Sequence, residues 1–374
     1  MRWRSQRLDQ LGFLSRGRSR HRPRDAAHLY GGPYPFIQTG DVKRANLYVS
    51  EYQQTYSEAG LQQSRLWPTG TLCITIAANI ADTAILGLDA CFPDSVIGFI
   101  ADEKKADARF VKYLFDATIQ RQVKQFTQGA AQDNLSQEKL LSIVFSVPDV
   151  NEQKRIASIL SAYDDLIENN RRRIQLLEQA ARLLYKEWFV RLCFPGHEHT
   201  KIINGIPEGW EKKPLGDVAP LKYGRALKNE DRISGPFPVY GSSGIIGTHT
   251  KPLVSGPTII VGRKGNVGSV YWSPDDCHPI DTVYFIDSER CSFFLYYSLQ
   301  QMNFISTDVA VPGLNRDFAH SRSILVADQK ILRFFEDTVL PLHQQMELLK
   351  KQASALAQAR DLLLPRLMNG EISV

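Results

Sequence analysis

NEQKRIASILSAYDDLIENNRRRIQLLEQAARLLYKEWFVR (151–191) decides how the chain is built. Its apolar residues fall at Ile156, Leu160, Tyr163 and Ile167, then at Ile174, Leu177, Ala181, Leu184 and Trp188, in alternating steps of four and three interrupted once by Asn170. No Gly or Pro breaks the run, and Arg171, Arg172 and Arg173 lie on its flank. So narrow a stripe predicts a long helix with a coiled-coil seam, in which Asn170 is a polar layer that fixes register. A helix facing a globular core would carry a broader stripe. Just upstream, Pro148-Asp149 and then Glu152-Gln153-Lys154 resemble a nuclease carboxylate set. The acids are too close in sequence to come from a sheet, and Asp149 or Asn151 is better read as an N-cap.

The seam recurs near the end of the chain, at Leu342, Met346, Leu349, Ala353, Leu356, Leu363 and Leu367, with Arg360 in the odd slot. Pro341 is expected to break or kink the start of this second run. Two matching seams in one chain have each other as the natural partner. An antiparallel pair of helices about 38 residues long, at ~1.5 Å per residue, would hold whatever is mounted on it up to roughly 55 Å apart.

What precedes each helix is also duplicated. In the second half Trp210, Leu215, Gly224 and Arg225 lead to PFPVYGSSGIIG (236–247) and GPTIIVGRKGNVGSVYW (256–272). In the first half Trp3, Leu8, Gly17 and Arg18 lead to PYPFIQTGDV (33–42) and TGTLCITIAANIADTAIL (69–86). Both copies combine short β-rich runs and Gly-rich turns with one amphipathic helix, from Phe110 and from Phe293. The expected fold is α+β: two tandem, similar α/β domains joined by two long helices forming an antiparallel coiled coil. The expected segments are a first domain (1–150), a central helix (151–193), a second domain (194–327) and a distal helix (328–374). Cys193 to Gly205 reads as a linker, so His197 and His199 are loop residues rather than ligands.

With 374 residues, 43% hydrophobic and 23% charged, the chain can bury ordinary cores. No apolar run is long enough to span a membrane and no secretory leader is visible, so a cytoplasmic home is expected. The five cysteines, Cys73, Cys91, Cys193, Cys277 and Cys291, form no C-x-x-C pair, which argues against a disulfide framework and a zinc site. A net charge of +5 is modest, so the distribution of charge says more than its total. Residues 1–30 hold eight arginines against Asp9 and Asp25, which reads either as a loop along phosphates or as a frayed, solvated end; the pairing with Trp210 to Arg225 favours phosphates.

Catalytic signatures are missing. GRKGNVGS (262–269) lacks the spacing of a phosphate-binding P-loop and reads as a hairpin loop, and the eight histidines scatter without a nucleophile or a metal partner. The first copy has TIAANIADT (75–83) in the same place, and QTGDVKR (38–44) stands where GSSGIIG (241–247) stands in the second. One scaffold carrying two sets of loops predicts a binding protein with two different targets.

Taken together, LGDV, YGRALK, PFPVYGSSGIIG, GPTIIVGRKGNVGSVYW, HPIDTVYFI, VPGLNR and DQKILRFFEDTVLPLHQQMELLKKQ resemble the specificity subunit of type I restriction-modification enzymes. YPFIQTGDVK, AAQDNLSQEKLLSIVFSVPDVNEQKRIASILSAYDDLIENNRRRIQLLE and LLYKEWF extend the resemblance over nearly the whole chain. The resemblance implies two target-recognition domains, each reading half of a split double-stranded DNA sequence, with the helices setting the spacer. It also implies docking of two adenine-methylating modification subunits and two restriction (motor-nuclease) subunits. This chain would be non-catalytic and hold no metal or cofactor, with S-adenosylmethionine, ATP and magnesium in the partners. Neither an adenine-methyltransferase [DNS]-P-P-[YF] motif nor a cofactor-binding glycine turn occurs here. The start departs from the pattern: only Met1 and Arg2 precede Trp3, whereas NGIPEGW (204–210) leads into the second domain, so an edge piece is missing or the start is misplaced. A methylation-only system, a protein adaptor and an enzyme in its own right stay open as alternatives.

Candidate DNA contacts in the second domain are Lys222, Tyr223, Arg225 and Lys228 for phosphates, with Tyr240, Ser242, Ser243, Arg263, Lys264, Asn266, Asn315 and Arg316 nearer the bases. In the first domain they are Arg16, Arg18, Arg20, Gln38, Thr39, Lys43, Thr75, Asn79, Gln132 and Asn134. Arg and Lys suit guanine or phosphate, Asn and Gln suit adenine, and hydroxyls suit either base edge. Each of these residues could instead have a turn-stabilising or solvated role.

Overall fold

The computed structural model describes residues 3–77, 80–120, 137–304 and 313–374. The chain divides into two compact units, Met1–Arg172 with Leu349–Val374, and Arg173–Leu348. Both long helices, the central helix Val150–Tyr185 and the distal helix Gln329–Met368, pass from one unit into the other. Each starts on an aspartate. Asp149 Oδ1 accepts the N–H groups of Asn151 and Glu152 at 3.0 and 3.1 Å, and Asp328 Oδ1 those of Lys330 and Ile331 at 2.9 and 3.1 Å. These bonds satisfy donors that a helix start leaves without partners, and they account for Asp149 without catalysis. The break expected at Pro341 does not occur: the distal helix is continuous through Pro341 and Pro365. Pro341 and Asp337, whose carbonyl loses its partner, are both exposed, so water can take the place of the missing N–H.

In the first unit a five-stranded sheet runs in the order Gly12–Arg16, Val96–Ala101, Leu72–Thr75, Thr83–Leu86, Tyr48–Val49, antiparallel except for the last pair. Its central strands are buried on both faces, so they read as continuous apolar runs rather than alternations. Leu72, Ile74 and Ile85 point into one cluster with Phe110 and Leu114 of the helix Ala108–Phe115. Cys73, Ala84 and Leu86 point into another with Trp67 and Phe92. Arg4–Gln6 pairs with Phe145–Val147, so this part of the arginine-rich start is a strand of the unit, not a frayed end.

The second unit repeats this plan. Its four-stranded antiparallel sheet runs Lys222–Tyr223, Val283–Ile286, Thr258–Gly262, Val270–Ser273. Ile259 and Val261 face the helix Phe293–Gln301, while Ile260 faces Tyr240 and Phe285. Glu211–Pro214 pairs with Ser323–Val326, as Arg4–Gln6 does with its own partner strand. The duplication extends to single bonds. Gly17 and Arg18 donate to Val96 and Phe92 carbonyls at 2.9 and 3.1 Å, and Gly224 and Arg225 to Val283 and Pro279 at 3.2 and 3.0 Å. At Gly17 and Gly224 a Cβ would collide with neighbouring carbonyls, which is why both copies keep glycine there.

The two long helices run antiparallel in each unit. In the first, Ile156, Ala157 and Leu160 of the central helix share a core with Leu367 and Met368 of the distal one. In the second, Ala181, Tyr185 and Trp188 pack with Ile331, Phe335 and Val339. Ile156, Leu160, Ile167, Asn170, Ala181, Trp188, Met346, Leu349 and Leu367 are buried. Tyr163, Ile174, Leu177, Leu184, Leu342, Ala353, Leu356 and Leu363 are half-buried, so no seam residue faces solvent fully.

Candidate nucleic-acid interface

Four separate segments of the second unit converge at one end of its four-stranded sheet. The Arg263 guanidinium lies 5.1 Å from the centre of the exposed Tyr223 ring, and that of Arg316 lies 5.2 Å from the same ring. Cation–π contact holds both arginines in place without using their N–H edges, which are the groups that recognise guanine or phosphate. Arg263 also donates through Nη1 to the Asp281 carbonyl at 3.1 Å. Lys264 forms a bridge with Gly313, and the Leu314 N–H donates to the Arg263 carbonyl at 2.8 Å, joining the 263–269 loop to the 313–316 segment. The loop closes the hairpin between Thr258–Gly262 and Val270–Ser273, as its composition predicts. Left-handed Gly265 and Gly268, φ +79 and +78, make the tight return possible. Its other side is tied to Ser242, whose carbonyl accepts Ser269 Oγ at 2.7 Å and the Tyr271 hydroxyl at 3.2 Å. Tyr223, Ser242, Arg263, Lys264, Asn266 and Arg316 therefore belong to one connected surface.

Other candidates stand differently. Lys222 is paired with Asp287, and Lys228 lies 3.5 Å from Glu230, both on the surface. Arg225 and Ser243 are exposed. Asn315 caps the helix Arg316–Ser321, its Oδ1 accepting from Asp317 and Phe318 at 2.8 and 3.0 Å, so its carbonyl oxygen already has a structural task. Tyr240 is corrected outright: at 5% exposed it belongs to the core beneath the loops.

In the first unit the structure gathers fewer of the expected residues. Arg18 and Arg20 are exposed on a segment braced by Gln63 and Ser64: Gln63 Oε1 accepts the Arg20 N–H at 2.6 Å, and Ser64 Oγ donates to the Arg18 carbonyl at 2.8 Å. Next to these, Arg65 lies over Trp67 at 4.2 Å and over half-exposed Phe13 at 4.9 Å. Gln63 and Ser64 escape a sequence reading because they meet Arg20 and Arg18 only through tertiary folding, as Arg65 meets Phe13. Arg16 is pinned, its Nε and Nη2 donating to the Asp94 carbonyl at 3.0 and 2.8 Å. Thr75 is a correction: it is fully buried and closes its own hairpin by accepting the Asp82 N–H at 3.0 Å. QTGDVKR is not a loop but contains the short helix Thr39–Arg44, with Gln38 Nε2 donating to Gln54 at 2.6 Å. Lys43 lines a cleft of about 420 Å³ with Asp82, Asp116 and Arg360. Asn79, Gln132 and Asn134 lie outside the described residues.

Two histidines support the segment that carries Tyr223. His320 Nε2 accepts the Leu221 N–H at 2.8 Å, and His278 Nε2 lies 3.3 Å from the Arg225 carbonyl. Burial holds both rings below the usual histidine range. A depressed histidine contributes stability above its unfolded value, about 6.5, and that stability is lost as pH falls through the folded value. The melting temperature of the second unit is therefore expected to fall as pH drops below about 6.5, less steeply in His320→Gln, which keeps an acceptor that does not titrate. Parallel pH profiles for the two proteins would exclude His320 as the sensor.

Among the described residues no group of three or more His, Cys, Asp or Glu gathers as a metal site. No helix among them is long and apolar enough to cross a membrane.

Two tandem α/β domains with basic, hydrogen-bonding loops, mounted on antiparallel helices, define a DNA-recognition protein. The chain belongs to the family described as Type I restriction modification DNA specificity domain, which it matches over residues 2–179 and 207–337. It is 26% identical to the type I restriction enzyme MjaIX specificity subunit of Methanocaldococcus jannaschii, over 92% of this chain and 88% of that protein. It is 22% identical to the HindI specificity subunit of Haemophilus influenzae, over 97% and 98% of the two chains. The crystal structure of the type I restriction-modification S subunit from M. genitalium has the same fold, with a TM-score of 0.62 at 20% identity over 98% of this chain and 96% of that one. It is thus a type I restriction-modification specificity subunit with DNA target-recognition domains.

Proposed function

We propose that this chain reads a bipartite DNA sequence, one half with the domain within 1–150 and the other with the domain within 194–327, and that its helices (151–193 and 328–374) carry the partner subunits and set the spacer. The observation that carries this reading is the duplicated scaffold with unlike contact groups. Equivalent backbone bonds at Gly17-Arg18 and Gly224-Arg225 hold segments whose neighbours are Gln63 and Ser64 in one unit and Arg263 and Arg316 in the other. Same placement with different chemistry suits two half-sites of different sequence.

Docking is supported by leucines that the seam leaves in solvent. Leu166 and Leu362 are 52% and 72% exposed in the first unit, and Leu176, Leu183 and Leu348 are 56%, 58% and 56% exposed in the second. Large apolar side chains repeated along a helix mark a surface that another protein covers. In this reading two modification subunits and two restriction subunits assemble on the chain and bring S-adenosylmethionine, ATP and magnesium, and the assembly works in the cytoplasm, where the DNA is. A separation of roughly 55 Å, at ~3.4 Å per base pair, caps the centre-to-centre distance of the half-sites at about 16 base pairs.

Genome-wide adenine-methylation mapping tests the proposal, in cells expressing this chain with a modification subunit and in cells lacking the chain. A split motif methylated on both strands only when the chain is present is the expected result. A contiguous motif, or methylation independent of the chain, would overturn it.

A further inference from the structure

Counted from their capping aspartates, the central and distal helices carry their seam residues at the same steps. At two places, one next to the seam and one within it, the copies differ in charge. Asp164 of the central helix stands where the distal helix has His343, and Arg360 of the distal helix stands where the central helix has Ala181.

Asp164 and Arg360 meet within the first unit. Their side chains are 2% and 20% exposed, and the Arg360 guanidinium donates to Asp164 Oδ1. The same oxygen accepts Asn46 Nδ2 at 3.1 Å, and Oδ2 accepts the Tyr113 hydroxyl. Arg360 Nη1 also donates to Asn46 Oδ1 at 3.3 Å, while its Nε and Nη2 reach Asp361 at 3.0 and 2.8 Å. One buried carboxylate on the central helix is thus satisfied by the distal helix and by two side chains of the first recognition domain. Burial, and then the Asp164 carboxylate, push the Tyr113 hydroxyl well above its usual value, so it remains a donor.

The equivalent place in the second unit is built from other residues. His343 Nε2 lies 2.7 Å from the Tyr297 hydroxyl, its ring stacks on Phe293 with centres 4.0 Å apart, and Ala181 is fully buried. Apolar seam layers resemble one another, so a shift by a turn or a heptad replaces one leucine by another. A buried carboxylate does not tolerate the same shift, because another register takes the Arg360 guanidinium away from a side chain that is only 2% exposed.

We propose that Asp164 and Arg360 form a positioning pair that fixes the register of the two long helices and, through Asn46 and Tyr113, the seat of the first recognition domain, and so sets which spacer length the chain accepts. The inference rests on the split-site reading above. It differs from the general role of the helices as a ruler in assigning the zero of that ruler to one layer of one unit.

The test uses the full chain assembled with a modification subunit, and duplexes carrying the mapped half-sites at the native spacer and at spacers one base pair shorter and longer. In Asp164→Leu/Arg360→Leu/Tyr113→Phe the ion pair becomes apolar while partly exposed Asn46 can turn to water, a replacement that buried pairs commonly survive. This protein is expected to melt near the wild-type temperature and still require both half-sites, while its methylation preference for the native spacer falls by about tenfold. Arg360→Lys keeps the charge but puts one ammonium in place of a planar fork whose Nη1 holds Asp164 and Asn46 while Nε and Nη2 hold Asp361, and a loss of roughly threefold in spacer preference is expected. Wild-type spacer preference in both variants, with or without a loss of melting temperature, overturns the proposal, because the pair would then be merely structural. A wild-type assembly that shows no split motif overturns the split-site reading itself, a result seen before any variant is made.

Discussion

Phe335→Ala is expected to lower the stability of the second unit by about 3–5 kcal/mol, the usual range for removing a fully buried phenyl ring. Phe335 is 0% exposed, and its ring centre lies 5.0 Å from Phe189, 5.7 Å from Trp188, 6.2 Å from Tyr185 and 6.4 Å from Tyr297. Those partners come from the end of the central helix and from the helix Phe293–Gln301 of the domain, so this one ring joins three elements. Large neighbours cannot collapse into the space it would leave, and the penalty should sit near the upper end. A thermal melt followed by circular dichroism should show the transition of this unit lowered by roughly 10 °C. Leu348→Ala on the same helix is the control, since a 56% exposed side chain contributes little to the isolated fold. Equal melting temperatures for the two variants would mean that the aromatic cluster does not hold the helices to the domain.

Arg263→Ala has the second large effect, on recognition rather than on stability. The guanidinium is held over Tyr223 and Tyr284, at 5.1 and 5.8 Å, and tied to the Asp281 carbonyl, so it is presented with little freedom left to lose on binding. A bidentate base contact carries about 1–3 kcal/mol, which is roughly a 5- to 150-fold loss of binding to the correct sequence. In the assembled complex, binding is expected to become insensitive to base changes at one position of one half-site, with the other half-site read as before. Titrations on duplexes substituted one base at a time would show this. A uniform loss over both half-sites would mean that Arg263 contacts phosphate or supports the fold. Tyr223→Leu should resemble it in part, because both Arg263 and Arg316 lose their aromatic support.

Sequence reading and structure diverge most at the contact residues, and the divergence has a physical origin. Thr75 and Tyr240 have the right chemistry for base edges and stand next to loops, yet each is enclosed by its own sheet. Position along the chain does not say which side of a strand end faces solvent when both faces of the sheet are covered. Arg16 and Asn315 have suitable groups, but the structure spends them on a carbonyl and a helix cap. Nothing local in the sequence distinguishes Gln63, Ser64 and Arg65. They acquire a role through contacts with residues more than forty positions earlier.

The chain's own sequence determined that there would be two long helices, where each begins, and which stripe of each would be buried. It also determined that two copies of one α/β scaffold precede them. Those properties are periodic or repeated, and short-range stereochemistry enforces them: a capping aspartate, a seam of steps of four and three, a glycine where a carbonyl approaches. Tertiary structure alone decided that Tyr223, Arg263 and Arg316 form one surface, and that Asp164 finds Arg360 across nearly two hundred residues of chain. Pairing of charges and stacking of rings depend on distances that close only when the sheet, the domain helix and both long helices have packed. Single residues carry these contacts, so no periodic pattern announces them.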